Sequence, residues 1–389
     1  MAERVAILGT GALAYKLVLE YLARPAGQAV LCGVITESRE VEPPFDCRRL
    51  GALSELKQIL SSERPDRVIV AMEDQYAHLS ADFLVEMQAI RDLEVETGLD
   101  AFERLTGKLA IESLTASSVL FSSEFRPSRA ARWFARGFSL AVAAVATVAL
   151  SLVMALLALC IRLDSPGPVL FVQERVGLGG RRFKLLKFRS MRNTADKHSE
   201  WAADNEARIT RIGRWLRKFR LDELPQFINV LRGDMNLVGP RPHPDSNRRL
   251  FILVSRNTPE CGEQIPYYSL RSSIRPGITG WAQVRYKYAN GLDEEIEKLR
   301  YDLYYIKHYS IWLDMRILFE TVKVVLFGHR RLERAEKGRA TTDGGLEAEP
   351  PSQPLLPGLA VALKSRATDF QPSPPPRQSL GSGNSLGLH

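Results

Sequence analysis

The stretch LDELPQFINVLRGDMNLVGPRP, residues 221–242, places acidic, apolar and turn-forming residues in an order that predicts a helix beside a binding site. Two adjacent carboxylates, Asp222 and Glu223, open the stretch. Pro225 is tolerated in a first helical turn, where its missing N–H has no partner, so the acidic pair is expected at the helix N-terminus. Helical spacing then predicts one buried apolar face, made of Leu224, Phe227, Ile228 and Leu231.

The second half of this stretch predicts a helix end and a rigid turn. Gly233 is expected to end the helix, and Gly239-Pro240-Arg241-Pro242 to present one guanidinium. Free amides and the positive end of the dipole favour anions at the helix start. These features predict a site for a phosphorylated substrate with a divalent metal held by Asp222 and Glu223. The alternative is that the two carboxylates are ordinary helix caps.

Two further blocks accompany this stretch. Lys187-Phe188-Arg189-Ser190-Met191 precedes it, and RPGITGWAQV, residues 275–284, follows it. Coming in this order after one long apolar segment, the three blocks resemble the bacterial sugar transferase family. These are polyprenyl-phosphate phosphoglycosyl transferases, which start glycan assembly on a lipid carrier. The resemblance covers about residues 132–328, and a chance match of three long blocks is improbable.

The resemblance implies a reaction in two steps. Asp222 would attack the β-phosphate of a UDP-sugar, giving an aspartyl phosphosugar intermediate and UMP. Undecaprenyl phosphate would then attack that intermediate, which initiates exopolysaccharide synthesis. Glu223 would complete the acidic pair, and would help to hold Mg²⁺ or to orient Asp222.

The resemblance also implies phosphate-binding cations. Arg241 and Arg275, each flanked by proline and glycine in a turn, would bind phosphate, and Lys187 and Arg189 would assist. The alternative for each of these four residues is an ordinary surface charge. The blocks do not name the sugar, although larger relatives with an N-terminal domain favour a hexose.

Composition limits the class of protein and of partner. The chain has 389 residues, a net charge of +8 and a pI of about 9.3, so an acidic partner is expected. Anionic membrane lipids and phosphate substrates fit this charge, whereas nucleic acid is not expected because no aromatic-interleaved basic patch is present. The four cysteines show no CxxC spacing, which is typical of a reduced compartment.

The N-terminal part, residues 1–114, predicts a Rossmann-like unit. Apolar runs at residues 4–8, 29–35 and 67–71 predict parallel strands that alternate with helices. The turn Gly9-Thr10-Gly11-Ala12-Leu13-Ala14 follows the first strand and suits a pyrophosphate. Tight packing between strand and helix is the other explanation for these glycines. The resemblance implies a regulatory or structural role for this unit.

Residues 115–132 are expected to form a linker, and residues 133–163 a membrane helix. Residues 137–161 carry no charge and have arginines on both sides, which favours the cytosolic surface of a membrane. Because nucleotide sugars are cytosolic, the helix is expected to enter and return, as in the family. The family bends its helix at Ser-Pro, whereas Ser151-Leu152 stands here without proline and is expected to bend the helix only mildly.

Residues 164–333 are expected to form a mainly helical α+β catalytic domain on the cytosolic face of the bacterial inner membrane. A basic amphipathic helix is predicted over residues 208–220, and further helices over 293–308 and 310–327. The first and the last are expected to lie at the membrane surface. The tail, residues 334–389, is rich in proline, glycine and serine, which predicts disorder.

Two other classes of function compete with this interpretation. A soluble nucleotide-dependent oxidoreductase is suggested by GTGALA, but the long apolar segment and the missing Tyr-x-x-x-Lys argue against it. A catalytically dead assembly protein is the other, and the intact Asp222-Glu223 pair argues against it. A homodimer is compatible with the resemblance.

Overall fold

The computed structural model describes residues 2–24, 29–41, 47–72, 93–111, 114, 124–192, 208–244, 268–286 and 292–327. They lie within one compact unit, residues 1–337. The expected tail, residues 334–389, and most of the expected linker lie outside the described residues.

The N-terminal part is a five-stranded parallel sheet, which confirms the predicted architecture. The strands run in the order β3-β2-β1-β4-β5, as in Rossmann-like units. They are Glu3–Leu8 (β1), Ala29–Thr36 (β2), Arg49–Ala52 (β3), Arg67–Val70 (β4) and Glu94–Thr97 (β5). The helices are Ala12–Leu22 (α1), Leu56–Glu63 (α2) and Gly98–Thr106 (α3). Strands β3 and β5 were not predicted because they are short and polar.

Gly9 in the turn after β1 has a packing explanation. Its φ is +126°, and a Cβ at this position would lie 2.6 Å from the carbonyl oxygen of Ala71, just beyond β4. Only glycine allows the two strand ends to approach this closely. The close packing accounts for this glycine without a nucleotide.

The apolar segment, expected as one helix that enters and returns, is a bent pair of helices. Arg129–Ala149 (α4) and Ser151–Asp164 (α5) meet at Leu150 with a bend of 61°. The Ser151 hydroxyl donates to the carbonyl of Val148 at 2.8 Å, and the bend is much sharper than predicted. Among the described residues no single helix is long and apolar enough to cross a bilayer, and only this bent pair qualifies when taken together.

The remaining chain combines short strands with helices. The strands are Leu170–Val176 (β6), Arg182–Phe188 (β7), Asn236–Val238 (β8) and Gly277–Thr279 (β9). The helices are Arg211–Lys218 (α6), Gln226–Arg232 (α7), Trp281–Arg285 (α8), Leu292–Lys307 (α9) and Ile311–Phe327 (α10). Strands β6 and β7 form the predicted antiparallel hairpin, and β8 pairs with β9 in parallel.

The predicted apolar face of α7 is buried only in part, since Leu224 and Phe227 pack against apolar clusters. Gln226, Asn229 and Val230 are the buried positions, and Leu231 is 39% exposed. The buried Asn229 side chain binds the backbone of β7, so hydrophobicity alone did not identify the inner face. The acidic pair also lies outside this helix, in a separate 3₁₀ turn, Leu221–Glu223.

The N-terminal part packs directly on the C-terminal part. Buried Glu103 of α3 accepts from Lys307 at 3.0 Å and pairs with His308 at 2.8 Å. The Trp281 indole N–H donates to the carbonyl of Gly107 at 2.8 Å. Leu109 belongs to the same apolar cluster as Trp281, so the chain before residue 114 contributes to the core of the C-terminal part.

The Arg189 side chain caps the C-terminal end of α5. Its guanidinium donates to the carbonyls of Ser165 at 2.6 Å and Pro166 at 3.0 Å, and its side chain is almost fully buried. These carbonyls follow the last turn of α5, where helix carbonyls lack intrahelical partners. The contact fixes the exit of α5 against strand β7.

We therefore expect Arg189→Met to destabilise the fold by on the order of 3 kcal/mol, because several charge-assisted hydrogen bonds are lost at once. The thermal unfolding midpoint of the purified protein should fall by roughly 5–10 °C. Arg181→Met is the matched control, since Arg181 is exposed and its side chain has no hydrogen bond among the described residues. Equal midpoints for the two variants would contradict this role.

Candidate active site

A residue with a strained backbone conformation, Arg220, positions the acidic pair. Arg220, between α6 and the 3₁₀ turn Leu221–Glu223, has a left-handed backbone with φ 53° and ψ 25°. This conformation costs a residue with a Cβ about 1 kcal/mol. It turns the chain sharply after α6, so that Asp222 and Glu223 face the hairpin strand β7 and the turn around Arg241.

Glu223 is buried among three cations. Its Oε1 lies 2.9 Å from Arg241 Nη2 and 3.5 Å from Lys187 Nζ, and its Oε2 lies 3.8 Å from Arg220 Nη1. The carboxylate is 8% exposed. A buried carboxylate is tolerated only when it is paired in this way. The predicted site residues Glu223, Arg241 and Lys187 therefore lie together.

The same contacts shift two pKa values. Burial by itself would raise the pKa of Glu223, but the charges of Arg241, Lys187 and Arg220 outweigh burial and lower that pKa to about 2. Burial and the neighbouring Arg241 lower the pKa of Lys187 to about 8, against the opposing pull of Glu223. The Glu223 carboxylate is thus always charged near neutral pH, whereas the Lys187 ammonium begins to lose its proton just above it.

Asp222 differs from its neighbour. Its carboxylate is partly exposed, and within the described residues it forms no hydrogen bond or ion pair. Burial and the charge of Glu223 raise the pKa of Asp222, while Lys187 and Arg241 partly oppose that rise. A carboxylate that is accessible, unpaired and more basic than usual is suited to nucleophilic attack.

A buried asparagine holds Lys187 in place. Asn229 of α7 accepts from the backbone N–H of Leu186 at 3.0 Å, and its amide nitrogen donates to the carbonyl of Lys184 at 2.8 Å. Since Lys187 follows Leu186 on β7, these bonds fix the strand that carries its ammonium toward Glu223. Asn229 is completely buried, so the contact is shielded from water.

Two glycines bring the Arg241 turn into position. A Cβ on Gly239 would lie 2.4 Å from the carbonyl of Arg275, and one on Gly277 would lie 2.1 Å from the amide of Gly239. The absence of side chains lets the GPRP turn contact the RPG turn directly. Backbone bonds from Gly239 to Thr279 at 3.0 Å and from Gly277 to Pro240 at 3.0 Å complete this contact.

A buried ionic network supports the same turn. Arg271 Nη2 donates to the carbonyl of Arg241 at 3.1 Å and lies 2.6 Å from the Asp302 carboxylate. Arg271 also contacts His243, whose pKa is held well below its usual range by burial and by the Arg271 charge. His243 is therefore neutral near pH 7. We assign Arg271 and Asp302 to positioning of Arg241.

Two of the predicted phosphate-binding residues, Arg189 and Arg275, bind backbone carbonyls away from the acidic pair. The Arg189 guanidinium is occupied by the carbonyls after α5, and Arg275 Nε donates to the carbonyl of Gly233 at 3.2 Å, at the carboxyl end of α7. Neither residue contacts Asp222 or Glu223 among the described residues. Arg220 and Arg271 were not predicted as site residues. Arg220 lies two residues before Asp222, but no sequence pattern predicts a left-handed backbone at an arginine.

Asp222 and Glu223 could supply only some of the ligands that a metal ion needs. No cluster of three or more His, Cys, Asp or Glu with metal-binding geometry occurs in the part of the chain that is described. Both oxygens of Glu223 already face cations, so Asp222 is the carboxylate with free oxygens. Mg²⁺ is commonly held by one or two carboxylates together with substrate phosphates. Asp222 fits such a site, and substrate oxygens would have to complete it.

Comparison with known proteins gives consistent matches. The sequence profile of the bacterial sugar transferase family matches residues 130–328. The chain is 38% identical over 273 residues to the UDP-N-acetylgalactosamine-undecaprenyl-phosphate N-acetylgalactosaminephosphotransferase of Aeromonas hydrophila, covering 70% of this chain and 62% of that protein. It is 40% identical over 194 residues to the UDP-glucose:undecaprenyl-phosphate glucose-1-phosphate transferase of Escherichia coli K12, covering 49% of this chain and 40% of that protein.

A shorter relative is matched over more of its length. The protein of the same name from Caulobacter vibrioides is 41% identical over 196 residues, which cover 49% of this chain and 69% of the relative. The chain thus spans about two fifths to two thirds of the length of these relatives. The family profile covers half of the chain, including the acidic pair, the hairpin and the GPRP turn. The chain therefore belongs to the bacterial sugar transferase family.

Proposed function

We propose that the protein transfers a sugar 1-phosphate from a UDP-sugar to undecaprenyl phosphate and releases UMP. The observation that carries the proposal is the unpaired, accessible Asp222 carboxylate beside Glu223, whose charge is held by Lys187, Arg241 and Arg220. The relatives named above transfer a sugar phosphate to undecaprenyl phosphate, according to their names. The product would be the first lipid-linked unit of an exopolysaccharide.

The chemistry takes place in two displacements at one phosphorus atom. An oxygen of Asp222 attacks the β-phosphorus of the UDP-sugar, the bond to the bridging oxygen breaks, and UMP leaves with that oxygen. The enzyme then carries an aspartyl phosphosugar. An oxygen of undecaprenyl phosphate attacks the same phosphorus, and the carboxylate of Asp222 leaves. Splitting the transfer in this way replaces one difficult step by two easier ones.

The cations make the approach of two anions feasible. Three cations face two carboxylates, so the site keeps a positive charge before the donor binds. Arg241 can turn one of its N–H groups from Glu223 to a phosphate oxygen, because a guanidinium presents several donors in one plane. Glu223 holds Lys187 and Arg241 close to Asp222, and its own charge keeps the pKa of Asp222 raised.

We also propose that Mg²⁺ binds with the donor. When bound, it would neutralise phosphate charge and polarise the phosphoryl oxygens. Asp222 is the carboxylate placed to contact it, whereas Glu223 is engaged by cations in this state.

The acceptor's location requires a membrane. The bent pair α4 and α5 exposes apolar side chains along its length, including Val148 at 76%, Leu152 at 81% and Leu163 at 77%. Such side chains are stable in lipid and not in water. We propose that the pair enters the inner membrane from the cytosol and returns, so that both domains face the cytosolic nucleotide sugar.

Asp222→Asn should abolish UMP release, because the amide cannot act as the nucleophile. The measurement is UMP formed by the purified protein with undecaprenyl phosphate and Mg²⁺, using UDP-glucose, UDP-galactose, UDP-N-acetylglucosamine and UDP-N-acetylgalactosamine. One of the four donors should support release and so name the sugar. Glu174→Gln, an exposed acidic residue on β6, is the control that should keep full activity. Release that persists in Asp222→Asn would refute the covalent mechanism.

The dependence of activity on pH should report the protonation of Lys187. Its pKa of about 8 means that the ammonium is present below that pH and is lost above it, so activity should decline as pH rises through about 8. Lys187→Arg keeps its charge at all these pH values, and should shift the alkaline limb upward by at least about one pH unit. An alkaline limb at the same pH in both proteins would show that another group titrates.

Arg271→Lys should weaken donor binding through the Arg241 turn. Lysine keeps a charge beside Asp302 but loses the bond from the planar guanidinium to the carbonyl of Arg241. We expect the KM for the UDP-sugar to rise about tenfold, with the unfolding midpoint changed by only a few degrees. A variant with unchanged KM, or one that loses stability without a kinetic change, would limit Arg271 to a structural role.

A further inference from the structure

Two arginines from distant parts of the chain meet at the carboxyl end of α7. Arg136 of α4 donates to the carbonyls of Val230 at 2.8 Å and Met235 at 2.9 Å. Arg275 donates from Nε to the carbonyl of Gly233, and Arg136 Nη2 lies 3.6 Å from the point where a Gly233 Cβ would stand. Helix-end carbonyls carry only partial negative charge, so they offset these two cations incompletely.

A third arginine joins this pair. Arg132 precedes Arg136 by one helical turn on α4, so both side chains lie on the same face of the helix. Burial and the charge of Asp314 raise the pKa of Tyr309 to about 12, and the charges of Arg132 and Arg275 oppose this rise. The charges of Arg132 and Arg275 thus both act on the Tyr309 phenol.

The cluster lacks matching anions. Within the described residues, Arg132, Arg136 and Arg275 form no ion pair with a carboxylate, and the terminal nitrogens of Arg275 have no partner. Asp234 is the carboxylate that acts on Arg136, and it also accepts from Asn229 at 3.0 Å. Arg136 therefore shares with Asn229 the carboxylate that acts on it.

The cluster lies where the apolar helix pair begins. Trp133 and Phe134, between Arg132 and Arg136, are 77% and 56% exposed. Exposed aromatic residues beside arginines at the start of an apolar helix are typical of the headgroup layer of a membrane. At that depth the abundant anion is a lipid phosphate, and the planar guanidinium matches its oxygens.

We propose that Arg132, Arg136 and Arg275 form a second anion site, which takes the phosphate group of a membrane lipid. Helix α7 has seven residues and is about 10 Å long, and it lies between this site and the 3₁₀ turn that carries the acidic pair. Two lipids carry such a group: undecaprenyl phosphate and an anionic phospholipid. Assigning the site to undecaprenyl phosphate rests on the proposed function, whereas phosphate binding does not.

The test measures lipid binding to the full-length protein in neutral detergent by native mass spectrometry, without UDP-sugar. The probes are undecaprenyl phosphate, phosphatidic acid and, as the neutral lipid, phosphatidylcholine. Arg132→Gln is the principal variant because the Arg132 side chain has no hydrogen bond among the described residues, so its loss should leave the fold intact. Arg275→Gln is the second variant, and Arg181→Gln is the control for loss of one exposed charge.

We expect wild type to bind both phosphate lipids more tightly than phosphatidylcholine. Arg132→Gln and Arg275→Gln should each raise the Kd for a phosphate lipid at least about threefold, and Arg181→Gln should not. A larger loss for undecaprenyl phosphate than for phosphatidic acid assigns the site to the acceptor, and an equal loss assigns it to phospholipid headgroups. Equal binding of all three lipids, or an unchanged Kd in Arg132→Gln, would overturn the proposal. Because no turnover is needed, an inactive enzyme would not mimic that result.

Discussion

The buried charge of Glu223 is the constraint on which the rest of the site depends. A carboxylate that is 8% exposed is stable only if cations reach it, and here three of them come from three separate elements. Strand β7 supplies Lys187, the GPRP turn supplies Arg241, and the residue between α6 and the 3₁₀ turn is Arg220. Removing any one of these cations would leave the buried Glu223 carboxylate less compensated. The pairing therefore fixes the hairpin, the turn and the 3₁₀ segment relative to one another, and it leaves Asp222 beside them without a partner.

Positioning of these cations extends well beyond the site. Arg241 is held from behind by Arg271, which is itself paired with Asp302 of α9. The same helix ends at Lys307, which binds Glu103 of the N-terminal part. Trp281, just after the strand that pairs with β8, binds the carbonyl of Gly107. The N-terminal part is thus attached to the elements that carry the GPRP turn, although it contributes no residue to the acidic pair. Its glycine turn is explained by close packing of the strand ends.

Local chemistry in the sequence predicted much of this arrangement. Apolar runs gave the parallel strands, Gly233 marked the end of α7, and the charge-free segment gave the helices that bend at Leu150. The resemblance of three short blocks to the family grouped the acidic pair with Lys187 and Arg241, and the structure brings these residues together. The inner face of α7 could not be predicted, since Asn229 is buried for its bonds to strand β7 and not for its hydrophobicity. Strands β3 and β5 were missed because sheet pairing, and not apolar periodicity, defines them.

The arginines show where the sequence pattern and the observed contacts lead to different roles. Arg189, Arg241 and Arg275 all stand in blocks that resemble the same family, and a guanidinium in a turn suggests phosphate in each case. Burial separates them. Arg189 is almost fully buried, and its guanidinium donates to the carbonyls that follow α5. Arg275 uses one nitrogen on a helix end, whereas Arg241 faces the Glu223 carboxylate. On the proposed function, the same residue type would serve the fold, the membrane surface and the reacting group, and the anion each one faces would determine which.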